Sequence, residues 1–480
     1  MTKRHSPLGE VAARESTAAA TPSRPALARV AAERSYAIAF AHIPPEIIAA
    51  AKTHVLDQIG VGLVAATLPR NRPLYTLASA FGQGGSATAL GLARAVPTAA
   101  AALLNGALMH ALEYDGTHTA SVAHAGSVVA PVALALAEEV GASGRSFLRA
   151  FVLGSEILVR LGLAAPGAFS QRGFQFTALG GPFAAALAAS LLLRLDPEMI
   201  TNALGIAGSQ ASGIMECARE GATAKALHAG WPAHAGLLAA RMAQAGTTGP
   251  QRIFEGERGF FRVYAGDVSG AARLTEELET LGHHWCLPEA ALKMQACCHY
   301  IQPFIECLET LLARGLAPDA IADLHCEVPP GEELICHPWA EKLSPASAYQ
   351  AKFSLPYALG ALLVDGVVTL DTFEGPARPD ILAAARRVSW SPMADADFPK
   401  RYGARITATT RTGTRLRAEV SDVLGTAGRP LARSAALGKF LDCASRALKE
   451  PAARAVADTV ERLEQLDDLA ELTAALRCLR

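Results

Sequence analysis

Between Pro25 and Glu277 apolar residues recur at helical spacing, and alanine fills many of the positions on every face. The pattern predicts long helices over 97–113, 127–140, 145–162, 178–194, 197–208 and 223–245, with glycine-containing breaks between several of them. Pro44-Pro45-Glu46 opens another helix. Proline suits the first turn, where no backbone N–H is needed, and a carboxylate there complements the helix dipole. The stretch from Ile47 to Val64 is apolar on most faces, which predicts burial all round. Asp196-Pro197-Glu198 is a further helix start, with aspartate as the N-cap. Six or more buried helices on short loops describe a compact all-α unit.

From about Trp285 the texture changes. Ile321–Val328 and Arg387–Trp390 read as strands. Ala404–Thr410 and Thr414–Val420 flank Arg411-Thr412-Gly413, which looks like a hairpin turn. A helix around 351–364 lies between these strands, giving an α+β unit. The chain then returns to helical spacing. The expected fold is mainly α with a smaller α+β domain. A disordered tail over 1–26 precedes a helical domain over 27–284, an α+β lid over 285–430, and C-terminal helices over 431–480 that pack back on the helical domain. A cleft between two such domains is a natural substrate site.

Composition narrows the function. Of 480 residues, 51% are hydrophobic and 19% charged, and the net charge is −1. No basic excess exists to neutralise a phosphate backbone, so nucleic acid is not an expected partner. The uncharged stretch Gly173 to Leu193 contains Gln175, Thr177, Gly180, Gly181 and Pro182 and is otherwise mostly alanine. It reads as a closely packed buried helix, so no membrane association is expected. Nine scattered cysteines do not form a disulfide framework, and adjacent Cys297–Cys298 lacks C-x-x-C spacing. A reduced cytoplasmic setting follows. The N-terminal residues have no apolar block for a signal peptide, and Glu10 and Glu15 argue against a transit peptide.

Polar chemistry is concentrated in a few places. His110, Glu113, Tyr114, Asp115, Thr117, His118 and His124 crowd the end of one alanine-rich helix and the loop after it. His110 and Glu113, three apart, are expected on one helix face. Lys225 and His228 have the same spacing on a later helix, for which Thr223 is a candidate cap. A lysine inside an apolar helix is costly to bury without a partner. Lys293, Cys297, Cys298, His299 and Gln302 form a third cluster near the change of texture, and Lys352 opens the lid helix. G-x-G-x-x-G, H-E-x-x-H and G-x-S-x-G are all absent. His124 has no neighbour at metal-ligand spacing except His118, in poor helical geometry. What remains is a site of histidine, carboxylate, threonine and lysine with no cofactor.

Several segments together resemble the MmgE/PrpD family, which includes 2-methylcitrate dehydratase, cis-aconitate decarboxylase and iminodisuccinate epimerase. They are Leu56-Asp57-Gln58-Ile59-Gly60-Val61, Asn105-Gly106-Ala107 through His110-Ala111-Leu112-Glu113-Tyr114-Asp115-Gly116-Thr117-His118, and Ala123-His124-Ala125-Gly126. Leu204 to Gly213, Gly221-Ala222 with Lys225, Leu227-His228 and Gly230, Lys293 with Cys297-Cys298, and Ala351 to Tyr357 complete the set. The resemblance covers about residues 27 to 445. It implies a large helical domain, a smaller α+β lid, a homodimer, and an active site in the cleft that uses neither metal nor iron–sulfur cluster. Carried over by position, Glu113 is the acidic residue of the helix-end motif, with Asp115 and Thr117 following it. His124 is the proton-transferring histidine and Lys225 the cation facing substrate carboxylates. The chain departs from the family pattern at Ala125, where proline is usual, at Gly116, where a second acid is usual, and at Gln175 and Gln302, where histidines are usual.

A proton next to a carboxylate is weakly acidic, so its removal needs a positioned base and donors for the developing charge. His124 is the expected base or acid, oriented by Glu113 or Asp115. Lys225 with His228 would neutralise substrate carboxylates, and Thr117 and Gln175 would supply neutral hydrogen bonds. His118, Lys293, Cys298, His299 and Lys352 are further substrate-binding candidates. The expected activity is that of a lyase on a small di- or tricarboxylate, by dehydration of a 2-methylcitrate-like hydroxy acid. Epimerisation of an iminodisuccinate-like acid, decarboxylation of a cis-aconitate-like acid, and a non-catalytic binding role are the alternatives.

Overall fold

The protein was analysed as a computed structural model, which describes residues 24–82, 84–426 and 428–477. All but the last three residues of the expected N-terminal tail lie outside that range. The fold is mainly α with a small sheet in the C-terminal half.

Among the helices that build the helical part are α1 (Pro45–Thr67), α2 (Thr98–His110), α3 (Ala125–Val140), α4 (Gly144–Leu163), α5 (Phe176–Leu192), α6 (Pro197–Gly208) and α7 (Leu227–Gln244). Each lies within a few residues of its sequence prediction. Pro45 occupies the first turn of α1 with Glu46 beside it. The Asp196 side chain caps α6 by accepting from the Met199 N–H at 2.8 Å. Every residue of α5 is buried, as its uncharged sequence requires. Among the described residues one helix, α1, is long and apolar enough to cross a membrane, and 83% of its most apolar stretch is buried inside the protein.

Helices α2 and α7 run antiparallel with their backbones in contact. A Cβ at Gly230 would sit 2.3 Å from the Leu103 carbonyl, and one at Gly106 would sit 2.8 Å from the Gly230 Cα. Only glycine allows that approach. It sets the C-terminal end of α2, with His110, against the chain that leads into α7, with Lys225. That leading segment is a separate 3-10 turn, Thr223–Ala226, and the Thr223 side chain makes no cap. The expected continuous helix from 223 therefore begins at Leu227.

A second core starts at Cys297 and ends at Val420. It is a four-stranded sheet covered by helices Gln302–Ala313 and Leu355–Asp365. Labelling its strands βa (Ile321–Val328), βb (Val388–Pro392), βc (Ala404–Thr410) and βd (Arg415–Val420), the order across the sheet is βb-βa-βc-βd. The βa–βb pair is parallel and the other two are antiparallel. Leu324, Cys326 and Val328 point into the core from βa in strict alternation. Residues from Trp285 to Ala296 still contribute side chains to the first core, so the change of core falls at Cys297. Beyond the sheet, Phe440, Leu448, Val456, Leu463 and Leu472 return to the first core. A two-stranded ladder pairs Thr117 with Ala291 and His118 with Ala290, fastening the polar loop after α2 to the segment that leads to the second core.

Candidate active site

A cavity of about 270 Å³ opens between the two cores. Glu113, Thr117, His124, Gln175 and Lys225 line it from the helical side. Lys293, Cys298, His299, Phe353 and Tyr402 close it from the other. His124 and Lys225, far apart in sequence, therefore reach one enclosed space large enough for a small polycarboxylate.

A left-handed turn just after the end of α2 creates the arrangement. The helix stops at His110, and Glu113 lies beyond it with φ at 55°, so the two residues do not share a helix face. A left-handed glutamate is uncommon and costs local strain. It turns the Glu113 carboxylate toward the Lys225 ammonium at 2.6 Å and the Tyr349 hydroxyl, which donates at 2.8 Å. Lys293 fastens the same turn by donating to the Glu113 carbonyl at 3.1 Å, with its ammonium 3.9 Å from the carboxylate. Burial alone would raise the Glu113 pKa, but the Lys225 and Lys293 charges outweigh it and hold the carboxyl at about 2.

Asp115 lies behind the cavity wall, fully buried. Its Oδ2 meets His110 Nδ1 at 2.7 Å and His124 Nδ1 at 3.1 Å. Although its burial opposes ionisation, the two imidazoles hold its carboxyl well below the usual range. Thr117 Oγ1 stands 3.3 Å from His124 Nδ1, and the two rings pack edge-on with centroids 4.8 Å apart. With Nδ1 turned toward Asp115, the Nε2 edge of His124 is the one left for the cavity. Burial lowers the His124 pKa to about 4 despite the neighbouring carboxylate, so the ring is neutral at pH 7 and able to accept a proton.

His110, Asp115 and His124 bring three metal-ligand atoms within 4.8 Å of one another, a grouping that the spacing of His124 had not suggested. A cation there would displace the Nδ1 protons from both rings and face the Lys225 ammonium, 3.3 Å from His110 Nε2.

Asp115, His118, His228, Lys352 and Gln302 do not line the cavity. Asp115 acts through imidazoles. His118 turns to Ser121 at 2.9 Å and Glu289 at 3.5 Å, because its strand pairing points it outward from the site. His228 lies beyond Gln175 and bonds to its amide oxygen at 2.8 Å, so it is separated from the Lys225 side. Lys352 donates to the Ala296 carbonyl at 3.0 Å and lies over the Phe373 ring, and its pKa falls to about 8 because it is buried. Gln302 shapes the 294–295 loop through two backbone bonds. Cys298 does line the cavity, with burial pushing its thiol up to about 11, so it remains protonated. His299 also lines it, and neither ring nitrogen has a hydrogen-bond partner among the described residues. Tyr349 and Tyr402 were not foreseen. Tyr402 gives no sequence signal, whereas Tyr349 stands one helical turn before Lys352 and that spacing could have drawn attention to it.

The buried histidines make stability depend on pH. Burial lowers His54, His124 and His228 to about 4 from the ordinary 6.5. The unfolded chain therefore binds more protons than the folded one between those values, and stability is lost as pH falls through that window. The Glu113 and Asp115 contributions are lost only at lower pH. The urea midpoint is expected to hold near pH 7.5 and fall steadily from about pH 6.5 toward pH 4. A midpoint unchanged down to pH 4.5 contradicts the burial of uncharged imidazoles.

Comparison with known proteins adds the family. The MmgE/PrpD N-terminal domain matches residues 27–270 and the MmgE/PrpD C-terminal domain matches residues 296–465. A cis-aconitate decarboxylase of Aspergillus terreus is 27% identical, covering 91% of this chain and 93% of its own. A cis-aconitate decarboxylase-like protein of Aspergillus oryzae is 33% identical over 69% of this chain and 72% of its own. The human cis-aconitate decarboxylase is 26% identical over 91% of each.

Proposed function

The chain belongs to the MmgE/PrpD family, a lyase-type family of carboxylic acid metabolism, and on that premise we propose that it transfers a proton at the carbon beside a carboxylate of a small di- or tricarboxylic acid. The observation that carries this reading is the neutral His124 imidazole, backed by Asp115, in a cavity that also holds the Lys225 and Lys293 ammonium groups. Lys225 and Lys293 attract the substrate carboxylates. They also stabilise the enediolate-like charge that forms as the α-proton leaves. A neutral base at rest favours elimination: His124 takes the α-proton and a β-hydroxyl departs, as in dehydration of a 2-methylcitrate-like hydroxy acid.

Decarboxylation of a cis-aconitate-like acid is the second reading, favoured by the names of the relatives above. There the carboxylate leaves as carbon dioxide and an imidazolium gives the carbon its proton. A substrate with several negative charges would raise the His124 pKa on binding and so supply that acid. Reprotonation on the opposite face without loss of a group would give epimerisation. The reading also takes the protein as a cytoplasmic homodimer that works without metal or cofactor.

One experiment separates these outcomes. Citrate-like and aconitate-like acids are incubated with the protein in D₂O, following enoate absorbance, carbon dioxide release and deuterium at the α-carbon. Elimination gives new enoate absorbance without gas, with kcat/KM falling only as pH drops toward the His124 pKa of about 4. Decarboxylation gives gas, with kcat/KM falling as pH rises. Exchange without either product identifies an epimerase. No enoate, no gas and no exchange with any di- or tricarboxylate overturns the catalytic reading in favour of binding.

A further inference from the structure

The His110–Asp115–His124 group does not end at His110. Gln175 Nε2 lies 3.0 Å from His110 Nε2, and Gln175 Oε1 lies 2.8 Å from His228 Nδ1. Cys217 Sγ stands 3.9 Å from His228 Nε2. A continuous chain of polar contacts thus runs from the half-buried Cys217 and His228 to the wall of the cavity.

The chemistry of its two fixed members gives this chain a direction. Asp115 is ionised and can only accept, so His110 and His124 both present Nδ1–H to it. Lys225 is an ammonium, which can only donate, and it sits 3.3 Å from His110 Nε2. That nitrogen must therefore be an acceptor. The amide group facing the same nitrogen must then be the NH₂ end of Gln175, which leaves the amide oxygen to accept from His228 Nδ1–H. Two independent constraints, one from each side of the His110 ring, agree on the same tautomer and the same amide orientation.

Resting on the function proposed above, we infer that Gln175 is a positioning residue for the proton-transferring imidazole. Both ends of its amide are engaged by histidines, so it acts as a strut that has only its second N–H to offer the cavity. Its NH₂ end donates to the bare Nε2 of His110 and so steadies that ring in place. His110 in turn fixes the Asp115 carboxylate, and Asp115 holds His124 with Nε2 bare toward the cavity. Glutamine suits this position because an amide has a donor at one end, an acceptor at the other, and no charge to gain or lose. His228 orients the amide from its outer end.

The test reads protonation directly, independent of any turnover. In protein carrying ¹⁵N-labelled histidine, His110 is assigned by its loss in H110N, and its two nitrogens are followed at pH 7. The parent is expected to show Nδ1–H and a bare Nε2. In Q175E a carboxylate faces Nε2, so both His110 nitrogens then point at carboxylates and the ring is expected to be doubly protonated. With substrate, Q175E is expected to lose roughly 10- to 10²-fold in kcat, the range for removing a group that orients a reacting one, with KM changing less. H228A, at the outer end of the strut, serves if Q175E does not fold. It frees the amide to turn, so the His110 Nε2 signal is expected to shift while Nδ1 stays protonated against Asp115. An Nε2–H form in the parent, or an unchanged His110 in the variants, overturns the inference. So does a rise in KM with kcat intact, because Gln175 would then be touching substrate. Failure of the parent to turn over any acid bears on the proposed function alone, since the nitrogen signals are read without substrate.

Discussion

His124→Ala is expected to lower kcat by at least about 10²-fold while leaving the melting curve close to that of the parent. Its fold should survive for three reasons. The backbone N–H of residue 124 bonds to Thr177 Oγ1 at 3.0 Å, and alanine keeps that bond. Asp115 keeps His110 at 2.7 Å, so no buried carboxylate is left without a partner. The lost ring faces the cavity, where water can take its place. Activity loses more, because among the described residues no other imidazole both lines the cavity and is backed by a carboxylate. His299 lines the cavity too, but its nitrogens have no hydrogen-bond partner among the described residues, and burial holds its pKa well below the ordinary value. Turnover near the parent's with a native melt would exclude His124 as the group that moves the proton.

Lys225→Met is expected to damage both stability and activity, and the two losses are separable. The variant leaves the Glu113 carboxylate buried with the Tyr349 hydroxyl at 2.8 Å and the Lys293 ammonium only at 3.9 Å. Breaking a buried pair by removing one partner typically costs about 3–5 kcal/mol, and the remaining Lys293 places this case toward the lower end. Adding E113Q removes the orphaned charge, so K225M/E113Q is expected to recover most of the urea midpoint. It should not recover activity, because the ammonium that meets substrate carboxylates is still missing, and kcat/KM is expected to stay about 10²-fold down. If the double variant regains both, Lys225 serves the fold and not the substrate.

The helical frame was legible because its sequence carries redundant signals. Helix α5 lacks any charge and α6 starts with Asp196-Pro197, and both begin within two residues of the expected positions. The strands were legible from alternation, with Arg387–Trp390 starting one residue later and ending two residues later, as Val388–Pro392. The site was legible as a set of residues but less so as a geometry. Glu113 was placed on the face of a helix that stops at His110, because a left-handed turn at a glutamate has no sequence signature. The grouping of His110 with Asp115 depends on that same turn and was hidden with it. His118 and His228 fit the spacing of a site, but spacing says nothing of which way a two-residue strand or the far side of an amide will point them. Tyr402 reaches the cavity through a tertiary contact of its hydroxyl with the Thr119 carbonyl, which no local pattern announces.

The second core is bounded by Cys297 and Val420, and the chain on both flanks belongs to the first core. Two backbone tethers thus join the cores, and side-chain contacts cross between them, from Tyr402 to the Thr119 carbonyl, from Tyr349 to Glu113 and from Arg446 to Asp371. A single backbone cut at either tether would leave the halves joined, so limited proteolysis must cleave both before the catalytic wall loses its cover.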